Sequence, residues 1–439
     1  LASSARAGAA AVPAKPAFLW GTAGAAYQIE GGNYASDLWV VEHVKPTIFA
    51  EPSGDACDAY HHVLEDIALV AALGFNAHRF SIEWARIEPE RGQISRAGLA
   101  YYRRVLEACR EHRLAPAVTF NHFTVPRWVA ASGGYADPAN VAAFAAHCRR
   151  VTEEMGDLIH LAATFNEPNL STVVRWGGML DKARPIIAMM QKAAGAAAGA
   201  PGWASPMLAG EAQYDGVLAA HAAAIDAMRA GGAKFPIGLT LAVTADHATG
   251  SDDSGLKRKQ AEMLDRWLAA PGDFIGVQTY TGSAVDANAD VPPPPGTELT
   301  QMGYAFTPDA IEQSVRLVAG RTRKAIYVTE NGVATEDDTR RIAYIRGAIA
   351  GVQRCIADGI DLRGYFHWSL LDNWEWMAGY KPKFGLVSVD PRTFRRTPKP
   401  SARFLGAIAR RGGLGSRPIN SNGLDRPEKP AGKERSAVA

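Results

Sequence analysis

The chain has 439 residues, and 47 Lys+Arg against 45 Asp+Glu leave a formal charge of only +2. No basic stretch stands out, which argues against a nucleic-acid partner, since such binding leans on clustered positive charge. Apolar residues make up 47% and charged residues 21%, the balance of a globular chain with a sizeable core, and no apolar run approaches the roughly 20 residues of a membrane helix.

Residues 1–16 are Ala- and Pro-rich and read as a mobile leader. Leu1-Ala2-Ser3-Ser4-Ala5-Arg6-Ala7-Gly8 resembles the end of a secretory signal peptide, with Ala5-Arg6-Ala7 fitting small-x-small cleavage. A periplasmic or secreted location is therefore expected; an ordinary Ala-rich leader on a cytoplasmic protein is the alternative. From Phe18 to about Leu405, strand-like and helix-like runs alternate. Strands are predicted over 18–23, 77–84, 115–121, 160–166, 237–243, 274–280, 325–330 and 362–368. Helices are predicted over 58–73, 101–113, 140–155, 216–229, 256–268, 308–318, 337–357 and 401–410. Eight such pairs predict a single (β/α)8 TIM barrel over 17–410, with its active site at the C-terminal ends of the strands. A doubly wound open sheet is the rival. It would want a Gly-rich phosphate loop at its switch point, and Gly21-Thr22-Ala23-Gly24 does not continue into one.

Two connections read as long loops: Gly/Ala-rich 170–215, and 283–306 with its run Pro292–Pro295. Residues 411–439 are Gly/Pro/charged and read as a flexible tail. Cys57, Cys109, Cys148 and Cys355 are far apart with no C-x-x-C, so buried thiols are expected and zinc is not. His61 and His62 share a predicted helix with no third ligand in view and read as structural.

Two predicted strands end in acid. Ala325-Ile326-Tyr327-Val328-Thr329 is uncharged until Glu330, then turns at Asn331-Gly332. His160-Leu161-Ala162-Ala163-Thr164-Phe165 ends in Asn166-Glu167, and Pro168 stops the strand. A carboxylate at the lip of an apolar strand is costly unless it is paired or has chemistry to do. Two such groups suit glycoside hydrolysis, where one protonates the leaving oxygen and the other meets the positive charge at the anomeric carbon. At a separation of ~5 Å the second attacks directly and configuration is retained.

These two stretches resemble the two signatures of the family 1 glycoside hydrolases, the retaining β-glucosidase family. Three more match in the same order: Phe18–Ala23 with Tyr27-Gln28-Ile29-Glu30-Gly31; Arg79–Trp84 with Arg86-Ile87 and Pro89; and Trp368–Trp376 followed by Gly379-Tyr380 and Phe384-Gly385-Leu386. The resemblance spans about residues 18–405 and implies an exo-acting retaining β-glycosidase, foremost a β-glucosidase. It would remove the terminal non-reducing β-D-glucosyl residue of a neutral small-molecule glycoside or short oligosaccharide by double displacement, with no cofactor and no metal. It implies Glu330 as nucleophile and Glu167 as acid, then base. Asn166 would bind the sugar 2-hydroxyl, and Arg79 and Tyr280 would orient Glu330. Gln28, His122, Glu375 and Trp376 would bind sugar hydroxyls over a Trp368 floor.

Two bland readings compete: a buried ion pair elsewhere for Arg79 and a satisfied core histidine for His122. The sequence also departs from the family. It has His122-Phe123 where His-Trp is usual and Gln278-Thr279-Tyr280 where Asn-Tyr-Tyr is usual, so that the longer Gln278 changes a side chain near the catalytic acid, and 170–215 lacks the usual continuation of Asn-Glu-Pro. The presence of Glu167 argues against a thioglucosidase, and a charged Glu375 would repel a sugar phosphate. A transglycosylase using the same site and a non-catalytic sugar-binding barrel are the alternative functions.

Overall fold

The computed structural model describes residues 17–415. Eight strands form a closed parallel barrel: β1 Leu19–Ala23, β2 Ala77–Ser81, β3 Ala115–Asn121, β4 Leu161–Asn166, β5 Ile237–Ala242, β6 Phe274–Gln278, β7 Ala325–Asn331 and β8 Leu362–Trp368. Each pairs with its sequence neighbours, and β1 closes on β8, Leu19 opposite Gly364 and Ala23 opposite Trp368. The main helices that follow are α1 Ala59–Leu73, α2 Arg96–Glu111, α3 Pro138–Met155, α4 Tyr214–Ala230, α5 Ser254–Leu268, α6 Ala310–Ala319, α7 Asp338–Ala357 and α8 Pro400–Arg411. The barrel expectation holds and the open sheet does not.

Boundaries moved where local chemistry decides them. The second, fifth and sixth strands stop at Ser81, Ala242 and Gln278, short of their predicted ends; after the second, Trp84 opens a short helix, Trp84–Ile87, and Ile82, Trp84 and Val243 pack into the core between strands and helices. The second helix starts five residues early, at Arg96, since the Ser95 hydroxyl accepts from the Gly98 amide at 3.0 Å and caps it.

Two buried apolar clusters follow from the strand pleat. A small one fills the barrel with side chains such as Leu19, Ala77, Leu161, Phe274 and Phe366; a large one lies between strands and helices. Small residues let the interior close. A Cβ on Gly276 would sit 2.5 Å from Thr240 Cγ2 and 2.6 Å from Thr329 Oγ1, just beneath the mouth.

The two expected long loops carry structure. Most of 170–215 is helical, in Leu170–Trp176 and Met179–Ala197 with a short turn at Pro206–Ala209. Its alanines, read as loop-like, are strong helix formers. Segment 283–306 contributes Ala284–Val285 and Asp290–Val291 to a three-stranded sheet with His247–Ala248. Lys259 of α5 pins that sheet: fully buried, it pairs with Asp246 at 2.8 Å and Asp290 at 2.7 Å. Replacing it by Met leaves two buried carboxylates without a cation. Lys259→Met is therefore expected to cost about 3–5 kcal/mol of stability, read from the midpoint of urea unfolding.

All four cysteines are buried free thiols. His61 and His62 lie on α1 and pair with Asp58 and Glu65 of the same turn and its cap. The expected leader, with its signal-like segment, lies outside the described residues, as does 416–439 of the expected tail. Arg411 ends α8, and Gly412 follows it with a φ of +71°. Among the described residues no helix is long and apolar enough to cross a membrane.

Candidate active site

The strands deliver the chemistry to one end of the barrel. β2 carries Arg79, β4 ends in Asn166 with Glu167 next, Tyr280 lies two residues past β6, and β7 carries Glu330. Arg79 is buried and grips two of the others. Its Nη1 donates to Glu330 Oε1 at 2.6 Å and its Nη2 to Asn166 Oδ1 at 2.5 Å. Tyr280 Oη donates to the other Glu330 oxygen at 2.5 Å. Each oxygen of Glu330 thus has a donor, and the bland reading of Arg79 as an ion pair elsewhere does not hold.

A guanidinium can only donate, so it fixes the Asn166 amide with Oδ1 inward. Thr240 Oγ1 donates to the same oxygen at 3.2 Å. The Asn166 NH2 makes no protein hydrogen bond among the described residues. Glu167 adopts a φ of +42°, uncommon for a side chain with a Cβ. Its amide donates to the Thr240 carbonyl at 2.8 Å, which holds that turn. Its Oε1 accepts from Gln278 Nε2 at 2.9 Å.

The two glutamates differ in charge because Glu330 is paired with a guanidinium and Glu167 with a neutral amide. Burial raises both. At Glu330 the Arg79 guanidinium and the Tyr280 and Arg79 hydrogen bonds oppose it. At Glu167 burial is followed by the negative charge of Glu330, and together they push its carboxyl up to about 8 against the weaker pull of Gln278 and Arg79. Glu330 ionises first, and Glu167 keeps its proton at neutral pH.

The model of glycosyl hydrolase family 1 matches residues 12–276 and 273–414. This chain belongs to that family. It is 28% identical to β-glucosidase A of Thermotoga maritima over 90% of this chain and 98% of that one. It is 30% identical to the bifunctional β-D-glucosidase/β-D-fucosidase of Bifidobacterium breve, over 88% and 95% of the two chains. Among solved structures it is similar to β-glucosidase 1317, at 56% identity with a TM-score of 0.89 over 91% of this chain and 99% of that one. It is also similar to the Thermotoga maritima β-glucosidase in complex with noeuromycin, at 28% identity with a TM-score of 0.78 over 91% and 99%.

The remaining expected residues of this family 1 enzyme gather at the same mouth. Gln28, on the short helix Ala26–Ile29 after β1, is fully buried. Its Nε2 donates to the Trp374 carbonyl at 2.9 Å and to Glu375 Oε2 at 3.2 Å, while its Oε1 has no protein partner among the described residues. His122 directly follows β3. Its ring lies nearly parallel to Trp368, 5.9 Å away, and to Trp376, 6.1 Å away. Burial, then Arg79, holds the imidazole well below its usual pKa, so it is neutral. Its Nδ1 has no protein partner among the described residues. Trp368 ends β8 and is buried; Trp376 stacks on Tyr27 with a 9° interplanar angle.

Glu375 is a third carboxyl here. Burial, then the charge of Glu330, pushes it up to about 8, opposed by Trp368 and Gln28. The repulsion of a sugar phosphate expected from its charge is therefore weak at neutral pH. What remains against a phosphate is that Arg79 is already spent on Glu330 and Asn166. The raised pKa also links to stability. Between its ordinary 4.5 and about 8 the folded state holds the extra proton, so this group's contribution falls as pH rises through that window. Glu375→Gln cannot ionise. It is expected to raise the melting temperature relative to the parent at pH 8 by about 2 °C or more, and not at pH 4.

Three residues of the site were missed as site residues. Thr240 of β5 bonds Asn166; its signal was one hydroxyl within the apolar Leu239-Thr240-Leu241. Gln278 stood out as a departure near the catalytic acid, but its hydrogen bond to Glu167 is a tertiary fact. Tyr304, in the 283–306 segment, is pushed up to about 12 by burial, then by the charges of Glu375 and Glu167. Nothing in its local sequence marks it.

Proposed function

We propose that the protein is an exo-acting retaining β-glucosidase whose chemistry runs between Glu330 and Glu167. Ionised Glu330 attacks the anomeric carbon as the bond to the leaving oxygen breaks, and Glu167 gives that oxygen its proton. The glycosyl ester neutralises Glu330, which removes the charge that kept Glu167 protonated. Glu167 then takes a proton from water as the water displaces Glu330, and two inversions make net retention. Asn166 NH2 donates to the 2-hydroxyl in this reading. Gln28, His122, Glu375 and Trp376 surround the other hydroxyls, and Trp368 offers a flat face. The observation that carries this reading is the Arg79 fork, which ties the charged Glu330 and the residue next to protonated Glu167 to one guanidinium.

The test is a panel of 4-nitrophenyl β-glycosides differing at C2, C4 and C6, with the first-formed sugar followed by proton NMR. The glucoside is expected to be turned over best, with β-glucose appearing before α-glucose. Release of α-glucose first, or no turnover of any β-glycoside, would exclude the mechanism. Transglycosylation is the lesser outcome, read as methyl glucoside formed in added methanol. A periplasmic or secreted location belongs to the same proposal, supported by the signal-like Leu1–Gly8 and checked by fractionating the native host.

A further inference from the structure

Gln278 ends β6 with its side chain buried, and its amide bridges two neighbours. Nε2 donates to Glu167 Oε1 at 2.9 Å, and Oε1 accepts from Thr329 Oγ1 at 3.1 Å. Thr329 directly precedes Glu330. The amide therefore spans from the nucleophile's strand to the acid, linking the two halves of the site opposite to the Arg79 fork. With the Gln278 carbonyl accepting from Thr329, its nitrogen faces Glu167. An N–H can only donate, so Glu167 Oε1 must be an acceptor whether Glu167 is ionised or not. Among the described residues no protein hydrogen bond reaches Glu167 Oε2.

We propose that Gln278 is a positioning residue that assigns the two oxygens of Glu167: Oε1 is held as an acceptor, and Oε2 carries the proton given to the leaving group and later taken from water. This rests on Glu167 being the acid/base of the proposed function. Two consequences follow. The grip fixes the carboxyl plane, so the proton is aimed before substrate arrives. A hydrogen bond donated to the carboxylate also favours its ionised form, which the second step needs.

The experiment uses Gln278→Met, close in size and unable to hydrogen-bond, and Gln278→Asn, whose shorter arm cannot span both partners. Removing the donor destabilises ionised Glu167. The alkaline limb of kcat/KM for 4-nitrophenyl β-D-glucoside, which requires the protonated acid, is expected to move up by about half a pH unit or more in Gln278→Met. With 2,4-dinitrophenyl β-D-glucoside the leaving group needs no acid, and kcat reports the base-assisted second step. There kcat is expected to fall about three- to ten-fold, while kcat/KM changes less than about two-fold, with a pre-steady-state burst of dinitrophenol. Gln278→Asn should shift the same way by less, and it carries the test if the Met variant does not fold. An unmoved alkaline limb, or kcat and kcat/KM falling together on the dinitrophenyl substrate, overturns the assignment. No turnover by the parent protein would instead overturn the proposed function.

Discussion

Glu330→Gly is expected to lower kcat on 4-nitrophenyl β-D-glucoside by on the order of 10^5-fold or more, the scale seen when an enzyme loses its attacking group. The loss should exceed that of any neighbour because nothing nearby can replace the side chain. Its two oxygens are held by Arg79 at 2.6 Å and Tyr280 at 2.5 Å, and neither donor is a nucleophile. The vacated space should admit a small anion beside the Arg79 cation. Sodium azide is therefore expected to restore part of the turnover with a reactive aryl glucoside and to yield the α-glucosyl azide by a single inversion. A Glu330→Gly protein that keeps parental kcat in a steady-state assay would remove Glu330 from the mechanism. Folding is checked by the same protein's circular dichroism.

Glu167→Ala is the second large effect, and its signature is dependence on the leaving group. General acid help is worth about 10^2–10^4, so kcat/KM on an alkyl glucoside or cellobiose should fall by that factor. The 2,4-dinitrophenyl glucoside leaves without a proton and should change far less in the first step. The glycosyl-enzyme then waits for a base it lacks, so kcat drops and azide accelerates it, giving the β-glucosyl azide. In the parent, the alkaline limb of kcat/KM should lie near the value about 8 to which burial and the Glu330 charge push this carboxyl; in the variant that limb should vanish. An equal loss with good and poor leaving groups would mean that Glu167 is not the acid.

The two variants separate through their electrostatics. Glu330 sits against a permanent cation and ionises first, whereas Glu167 faces a neutral amide and the charge of Glu330. Neutralising Glu330 by Glu330→Gln should therefore lower the pKa of Glu167, because one of its two raising causes is gone. Titration of Glu167 in that variant by carbon-13 NMR reads this directly.

Much of this was legible in the amino-acid order. An uncharged run ending in Thr329-Glu330-Asn331-Gly332, and another ending in Phe165-Asn166-Glu167-Pro168, locate two carboxylates at strand ends by local rules alone. The alternation of eight strand-like and eight helix-like runs fixes the barrel, because period and punctuation are properties of neighbouring residues. What local rules could not supply is which groups touch. Arg79 and Glu330 are 251 positions apart, and Glu167 and Gln278 are 111 apart; only closing the barrel brings them together. The position of Tyr304 beside Glu375 and Glu167 was decided the same way, whereas the helices within 170–215 were there to be read in their alanines. Charge states follow suit: the proton on Glu167 depends on burial and on the charge of Glu330, three barrel strands further along the chain, so the sequence names the acids and the tertiary structure decides which one is charged.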